Sequence, residues 1–264
     1  MNLVKLDWHD TVAIISLNRP DAANAISIEF AEALRGVAQE VAGEGRARAV
    51  LLRAEGKMFS GGGDVGSMLT KKAELDKDAY GAFFQSLVNG FHEAVRALRA
   101  IDAPLIAAVN GTAAGGGMSL ALACDLVLAS PKAKFVPAYP GIGLSTDGGM
   151  SWSLPRIVGS KKAMQMLIEN RPIGADEALQ LGLISNLLDE TDFDTAALAR
   201  VEAIARLPRK AIAGIRKLIE DSAGVSLERQ LEMELMTIGR LATAPDALEG
   251  LDAFAARRAP LFTD

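Results

Sequence analysis

Three dense glycine clusters, each at or near the end of a short apolar run, constrain this chain more than any other feature. They are Ser60-Gly61-Gly62-Gly63-Asp64, then Asn110-Gly111-Thr112-Ala113-Ala114-Gly115-Gly116-Gly117, then Gly141-Ile142-Gly143 leading to Asp147-Gly148-Gly149. Glycine admits positive φ and lets a ligand approach the peptide plane. Loops of this kind at strand ends are the usual place for a site in an open α/β fold. The surrounding pattern agrees. Residues 12–17 (VAIISL), 49–53 (AVLLR) and 105–109 (LIAAV) are aliphatic runs of strand length, the last uninterrupted, as expected of a strand buried on both faces. Between the first two, Ser27 is placed to cap a helix whose apolar residues Phe30, Leu34, Val37 and Val41 recur at helical spacing. A longer helix is predicted over 80–98, with Phe84, Leu87, Phe91, Val95 and Leu98 on one stripe. Alternation of this kind indicates crossover units.

From about Thr195 the pattern turns helical, with Leu227, Leu231, Leu235, Ile238 and Leu241 on one stripe that suits a core or a subunit interface. The expected division is therefore an α/β body over 1–194 and a helical region over 195–264. With 264 residues and half of them hydrophobic, the chain can bury a full core. A net charge of −5 argues against broad nucleic-acid binding, which draws on many Lys and Arg contacts to phosphate. The single Cys124 and the distant pair His9 and His92 argue against a disulfide and against a His/Cys metal site. No run approaches the roughly 20 apolar residues of a membrane helix, and the opening segment lacks the order of a signal peptide, so the expected location is cytoplasmic.

Gly61-x-Gly63-x-x-Gly66 formally matches the dinucleotide fingerprint. It is set aside, because the preceding strand run ends at residue 53 and a polar stretch, 70–78, follows where an apolar helix should open. No P-loop lysine pattern and no GxSxG elbow occurs. The second cluster says more. The apolar sequence after Gly117 reads as a helix, which puts glycine amides at a helix N-terminus, where free N–H groups point outward. One amide from each of two loops would hold a carbonyl oxygen as it gains charge, an arrangement in which each donor is worth about 2.7–4 kcal/mol. The same glycines also suit tight turns and close helix packing.

Taken together, these motifs resemble the crotonase, or enoyl-CoA hydratase/isomerase, superfamily. The matching residues are Leu17-Asn18-Arg19-Pro20 with Asn24-Ala25, Phe59 to Asp64, Pro104 with AAVNGTAAGGG, Ala123-Cys124-Asp125, Phe135, Gly143, and Leu154 to Gly159. Ala175-Asp176-Glu177-Ala178, Gly182-Leu183 and the ending from Phe254 to Phe262 also fit, so the likeness spans essentially the whole chain. It implies a spiral of ββα units with a helical C-terminal region, assembled as a trimer or a dimer of trimers. It also implies an acyl-CoA thioester as substrate, with no separate cofactor, and the amides of Gly63 and Gly116 as donors to the thioester oxygen. The CoA moiety would lie along the loop holding Asp21, Ala23 and Asn24 and along Gly61, Gly62, Asp64 and Val65, near Gly115. Arg257 of a neighbouring subunit would meet its phosphates, although a solvated surface arginine is the alternative.

The likeness includes a departure. The two glutamates of typical hydratases fall at Ser119 and Tyr139, neither of which is a carboxylate base at neutral pH. Asp147 instead sits where single-aspartate isomerases of the epoxyphenylacetyl-CoA isomerase type hold their acid, and double-bond or ring isomerisation is the expected chemistry. Asp147-Gly148 is also an ordinary turn pair. A second expectation is hydrolytic dehalogenation of the 4-chlorobenzoyl-CoA type, with Asp147 as nucleophile and His92 as the base for water. That group has tryptophan at the position of Tyr139 and phenylalanine at that of Gly63, and a bland helix-face role for His92 competes with it. A third is an acyl-CoA binder without catalysis. Tyr139 either donates a hydrogen bond or lines the acyl pocket, and residues 67–84 read as a mobile wall of that pocket.

Overall fold

In the computed structural model, which describes residues 2–263, the strands from β3 to β8 alternate between two sheets. An antiparallel hairpin of β1 (Val4–His9) and β2 (Val12–Leu17) starts the larger sheet. β3 (Ala49–Ala54) then joins that sheet and β4 (Met58–Ser60) starts the smaller one; β5 (Leu105–Val109) and β6 (Thr112–Ala114), and β7 (Leu126–Ala129) and β8 (Lys134–Val136), repeat the step. β9 (Ile173–Gly174) closes the smaller sheet and β10 (Asn186–Leu187) the larger, giving orders β4-β6-β8-β9 and β1-β2-β3-β5-β7-β10. This is the expected spiral of ββ units separated by helices.

The predicted strands form where their aliphatic runs are fully covered, and Leu105–Val109 is buried at every position. Ser27 caps α1 (Ile28–Glu44), its Oγ accepting the Phe30 N–H at 3.2 Å. Two helices fill the segment expected to be mobile: α2 (Val65–Glu74), capped by Asp64, and α3 (Lys77–Arg99), capped by Asp76. The polar stretch 70–78 is the C-terminal half of α2, the junction at Leu75 and Asp76 and the first residues of α3, which begins three residues before the predicted start. Local capping, not apolar burial, makes this segment helical.

Further along the chain lie α4 (Gly116–Leu122), α5 (Met150–Val158), α6 (Ser160–Glu169) and α7 (Ala175–Gln180), followed by α8 (Phe193–Ala205). α8 packs Phe193, Ala197, Val201 and Ala205 against Val12, Ile14, Ala49, Leu51, Ile106 and Leu128 of the larger sheet. The expected boundary at 194 therefore falls inside a helix that belongs to the α/β body. The helices that stand apart are α9 (Arg209–Ser222), α10 (Leu227–Leu241) and α11 (Pro245–Ala255). α10 has no buried residue, and its stripe faces outward, with Leu235 69% exposed. No helix among the described residues is long and apolar enough to cross a membrane.

Candidate active site

The smaller sheet brings the glycine clusters together. β4 pairs with β6 in parallel and β6 with β8, so the segments that follow Ser60, Ala114 and Val136 leave the same end of three adjacent strands. The first of these is pinned by its own backbone. Gly61 N–H donates to Ala23 O at 2.7 Å, Gly62 N–H to Ser60 Oγ at 3.2 Å and Asp64 N–H to Ile26 O at 3.0 Å. In the second, Gly115 N–H donates to Val136 O at 2.9 Å. The N–H groups of Gly63 and Gly116 make no hydrogen bond among the described residues, and both glycines line one cavity of about 340 Å³. Gly62 sits between the loops at φ +87°, and a Cβ there would lie 2.6 Å from Ala114 O and 3.4 Å from Gly116 N. Two free donors in adjacent loops, one of them at the N-terminus of α4, provide the geometry of an oxyanion hole.

The rest of the cavity wall is mainly apolar, with Ile26, Val65, Met68, Phe84, Leu87 and Phe91 on one side and Ile142 and Leu144 on the other, and with Ser145 and Thr146 beside Asp147. Met68 and Phe84 come from the segment 67–84, which is a pocket wall, as expected, but a helical one. Asp147 is the one carboxylate among the described residues lining it. Burial holds the Asp147 carboxyl above its ordinary range, against the opposing pull of the Tyr139 hydroxyl. The Tyr139 O–H donates to Asp147 Oδ1 at 2.7 Å. Burial also drives the Tyr139 phenol upward, so it stays a neutral donor. Ser119 Oγ lies 2.7 Å from the Tyr139 hydroxyl, 3.0 Å from Asp147 O and 3.3 Å from Gly115 O, and its single proton is shared among these acceptors. The two positions expected to lack carboxylates thus meet each other and Asp147. His92 lies behind this wall on α3, and its Nε2 accepts the Gly148 N–H at 3.1 Å.

The remaining predicted residues separate into those at the cavity and those that brace it. Gly61, Gly62, Gly115 and Val65 line it. Asn24 does not offer its side chain to a ligand, because every polar group it has is used within the chain. Its Oδ1 accepts Arg19 N–H at 2.7 Å, its Nδ2 donates to Glu55 O at 2.9 Å and Met58 O at 3.0 Å, and its backbone bonds Arg19 O and Ser60 Oγ. It holds the left-handed turn (φ 49°) that presents Ala23 O to Gly61. Asp64 is likewise a brace: Oδ1 caps α2 through Ser67 N–H at 2.9 Å and Oδ2 pairs with Arg19 at 2.6 Å. Burial opposes its charge, but the Ser67 N–H and Arg19 prevail and hold its carboxyl below the usual range. Asp21 lies exposed on a single 3₁₀ turn and Arg257 on the exposed C-terminal tail, neither lining the cavity. Sequence reasoning missed Arg19 as the partner of Asp64; its place in the Asn18-Arg19-Pro20 motif was the available signal.

The enoyl-CoA hydratase/isomerase family model matches residues 7–264. The chain belongs to the enoyl-CoA hydratase/isomerase family. A protein of Rhodobacter capsulatus named "Probable enoyl-CoA hydratase" is 35% identical over 98% of this chain and 97% of its own. The 1,2-epoxyphenylacetyl-CoA isomerase of Escherichia coli is 31% identical over 96% and 95%, and 4-chlorobenzoyl coenzyme A dehalogenase-1 of Arthrobacter sp. is 31% identical over 95% and 90%. Among solved structures, an enoyl-CoA hydratase from Polaromonas sp. JS666 matches with a TM-score of 0.90 and 31% identity over 98% and 99% of the two chains. Family membership and the crotonase-like fold agree with the sequence reading, whereas these relatives divide among three reactions.

Proposed function

We propose that this protein isomerises an acyl-CoA thioester through an enolate, with Asp147 as the single base. The thioester oxygen would accept the N–H groups of Gly63 and Gly116, and Asp147 would remove an α-proton of a 3-enoyl thioester. The C–H electron pair moves toward the thioester oxygen to give a dienolate; that pair then re-forms the carbonyl, the double bond settles between the α- and β-carbons, and the γ-carbon takes back the same proton. No atom is gained or lost. The observation that carries this reading is one carboxylate, raised above its ordinary range by burial, in a mainly apolar cavity beside two free amides. A carboxyl poised above its usual range suits both removal and return of a proton. Tyr139, donating to Oδ1, leaves the other oxygen for substrate. Coenzyme A is part of the substrate in this scheme, and no separate cofactor is assigned.

Hydration by two carboxylates has poor support here, since Ser119 and Tyr139 occupy each other. The Arthrobacter relative keeps dehalogenation as the alternative, but His92 Nε2 is engaged by Gly148 N–H and His92 does not line the cavity. We further propose that the outward stripes of α10 and α11 join copies of this chain, as a trimer or a dimer of trimers, and that Arg257 meets the CoA phosphates of a neighbour.

Asp147→Asn is expected to lower kcat for 3-enoyl isomerisation by about 10²–10⁴-fold. For the wild type, kcat/KM should fall as pH drops through a pKa above the ordinary carboxylate range, the deprotonated base being the active form. Undiminished turnover in the variant would remove Asp147 from the role. Chloride release from 4-chlorobenzoyl-CoA would move the assignment to the dehalogenase, and tight binding without turnover of either substrate would move it to a binding protein.

A further inference from the structure

Granted that Asp147 is the base, a role on which those of its neighbours depend, its carboxyl must be aimed. Yet it departs from a turn between a 3₁₀ segment ending at Ile142 and α5. The peptide joining Asp147 to Gly148 is held at both ends. Its carbonyl oxygen lies 3.0 Å from Ser119 Oγ, within reach of the proton that this hydroxyl shares with Tyr139, and its N–H donates to His92 Nε2 at 3.1 Å. Ser119 belongs to α4 and His92 to α3, so two separate helices grip one peptide plane. Gly148 has φ +57°, and a Cβ there would lie 2.4 Å from Phe91 Cε1 and 2.8 Å from Ser119 Cβ. The turn has no room to slide. With that plane fixed, the carboxyl keeps the rotation about its own Cα–C bond and two side-chain torsions, and the Tyr139 O–H at 2.7 Å restrains them.

We infer that His92 and Ser119 are positioning residues that orient Asp147 through this shared peptide. Neither lines the cavity. The role asks of residue 92 a hydrogen-bond acceptor, since Nε2 accepts the Gly148 N–H and an imidazole that accepts there carries its hydrogen on Nδ1. It asks of residue 119 a donor small enough to sit against Gly148. Glutamine at 92 retains an acceptor oxygen at the end of a side chain of similar reach, and leucine does not.

The test uses the full chain and a 3-enoyl-CoA substrate, comparing His92→Leu, His92→Gln, Ser119→Ala and the Leu/Ala double variant. His92→Leu is expected to lower kcat on the order of 10–100-fold with KM changed less than about twofold, because small misplacement of a reacting group acts on the chemical step. His92→Gln should restore most of it. The double variant should lose less than the product of the single losses, both acting on one peptide. In ¹⁵N NMR, the Gly148 amide should lose exchange protection in His92→Leu and keep it in His92→Gln. Equal losses in Gln and Leu would overturn the inference in favour of imidazole chemistry, and so would an unchanged kcat in Leu or strictly multiplicative losses. If His92→Leu fails to fold, His92→Gln decides alone: near-wild-type kcat supports the clamp and an inactive folded enzyme overturns it. Full turnover in Asp147→Asn would instead overturn the base assignment, while the Gly148 amide reports separately on whether the clamp exists.

Discussion

At the ends of β4 and β6 the chain has almost no side chains, and the N–H groups of Gly61, Gly62, Asp64 and Gly115 are bonded inside the molecule while those of Gly63 and Gly116, which line the cavity, have no partner among the described residues. On α10 and α11 the backbone is satisfied within each helix, while Leu227, Leu231, Leu235, Met236, Ile238, Leu251 and Phe254 point into solvent. The first region is over-determined by its own chain and withholds two donors. The second is under-determined, because exposing this much contiguous apolar surface is rare in a monomer and marks a face to be covered. Rigidity and incompleteness have been separated in space, so assembly need not disturb the site.

That contrast can be broken at its stiffest point first. Gly62→Ala combines a positive φ with a Cβ 2.6 Å from Ala114 O, and is expected to cost about 2–4 kcal/mol. Chemical denaturation would read it, and a loss under about 1 kcal/mol would mean that the loops yield more readily than their packing implies. Asp64→Ala removes the α2 cap and the Arg19 pair, for an expected loss of about 1–2 kcal/mol. Its contribution depends on a depressed carboxyl pKa, so it is present above the ordinary carboxylate range and fades as pH falls through the lower, folded-state value. A wild-type advantage that persists at strongly acid pH would contradict the ion pair. Least is expected of Leu235→Lys, which should leave the stability of the isolated chain within about 0.5 kcal/mol. Light scattering should nonetheless show a smaller particle than the wild type. A large drop in monomer stability would put Leu235 in a core and remove the contrast.

The fold was legible wherever the code is local. Strands announced themselves by aliphatic runs bounded by glycine and proline, and α1 by Ser27 with its apolar spacing. The amides of Gly63 and Gly116 could be placed because glycine at a strand end, before a helix, has few other uses. What stayed hidden is non-local. Asn24 looked like a ligand contact, and only the folded chain brings Glu55 and Met58 to its amide. His92 and Gly148 are 56 residues apart, and no periodicity connects a helix histidine with a turn peptide. The discounted fingerprint at Gly61 failed for a subtler reason: β4 lies directly before it and α2 directly after, so strand, loop and helix are all present, but three residues of strand and an exposed helix left no apolar signature.

The pairing of β4 with β6 works as a ruler. Adjacent strands in any sheet lie about 4.7–4.9 Å apart, and one oxygen can accept two N–H groups only if the nitrogens are within about 6 Å of each other, at roughly 2.9 Å per bond. Loops that leave neighbouring strands inherit a separation of that size without any side chain to set it. The helices that form the walls, α2 and α3, lie outside this pairing, α2 following the β4 loop and α3 leading on to β5. Their residues can be exchanged to admit a different acyl group while the gap between the two amides stays as it is, because that gap is a constant of β-structure and not a choice of sequence.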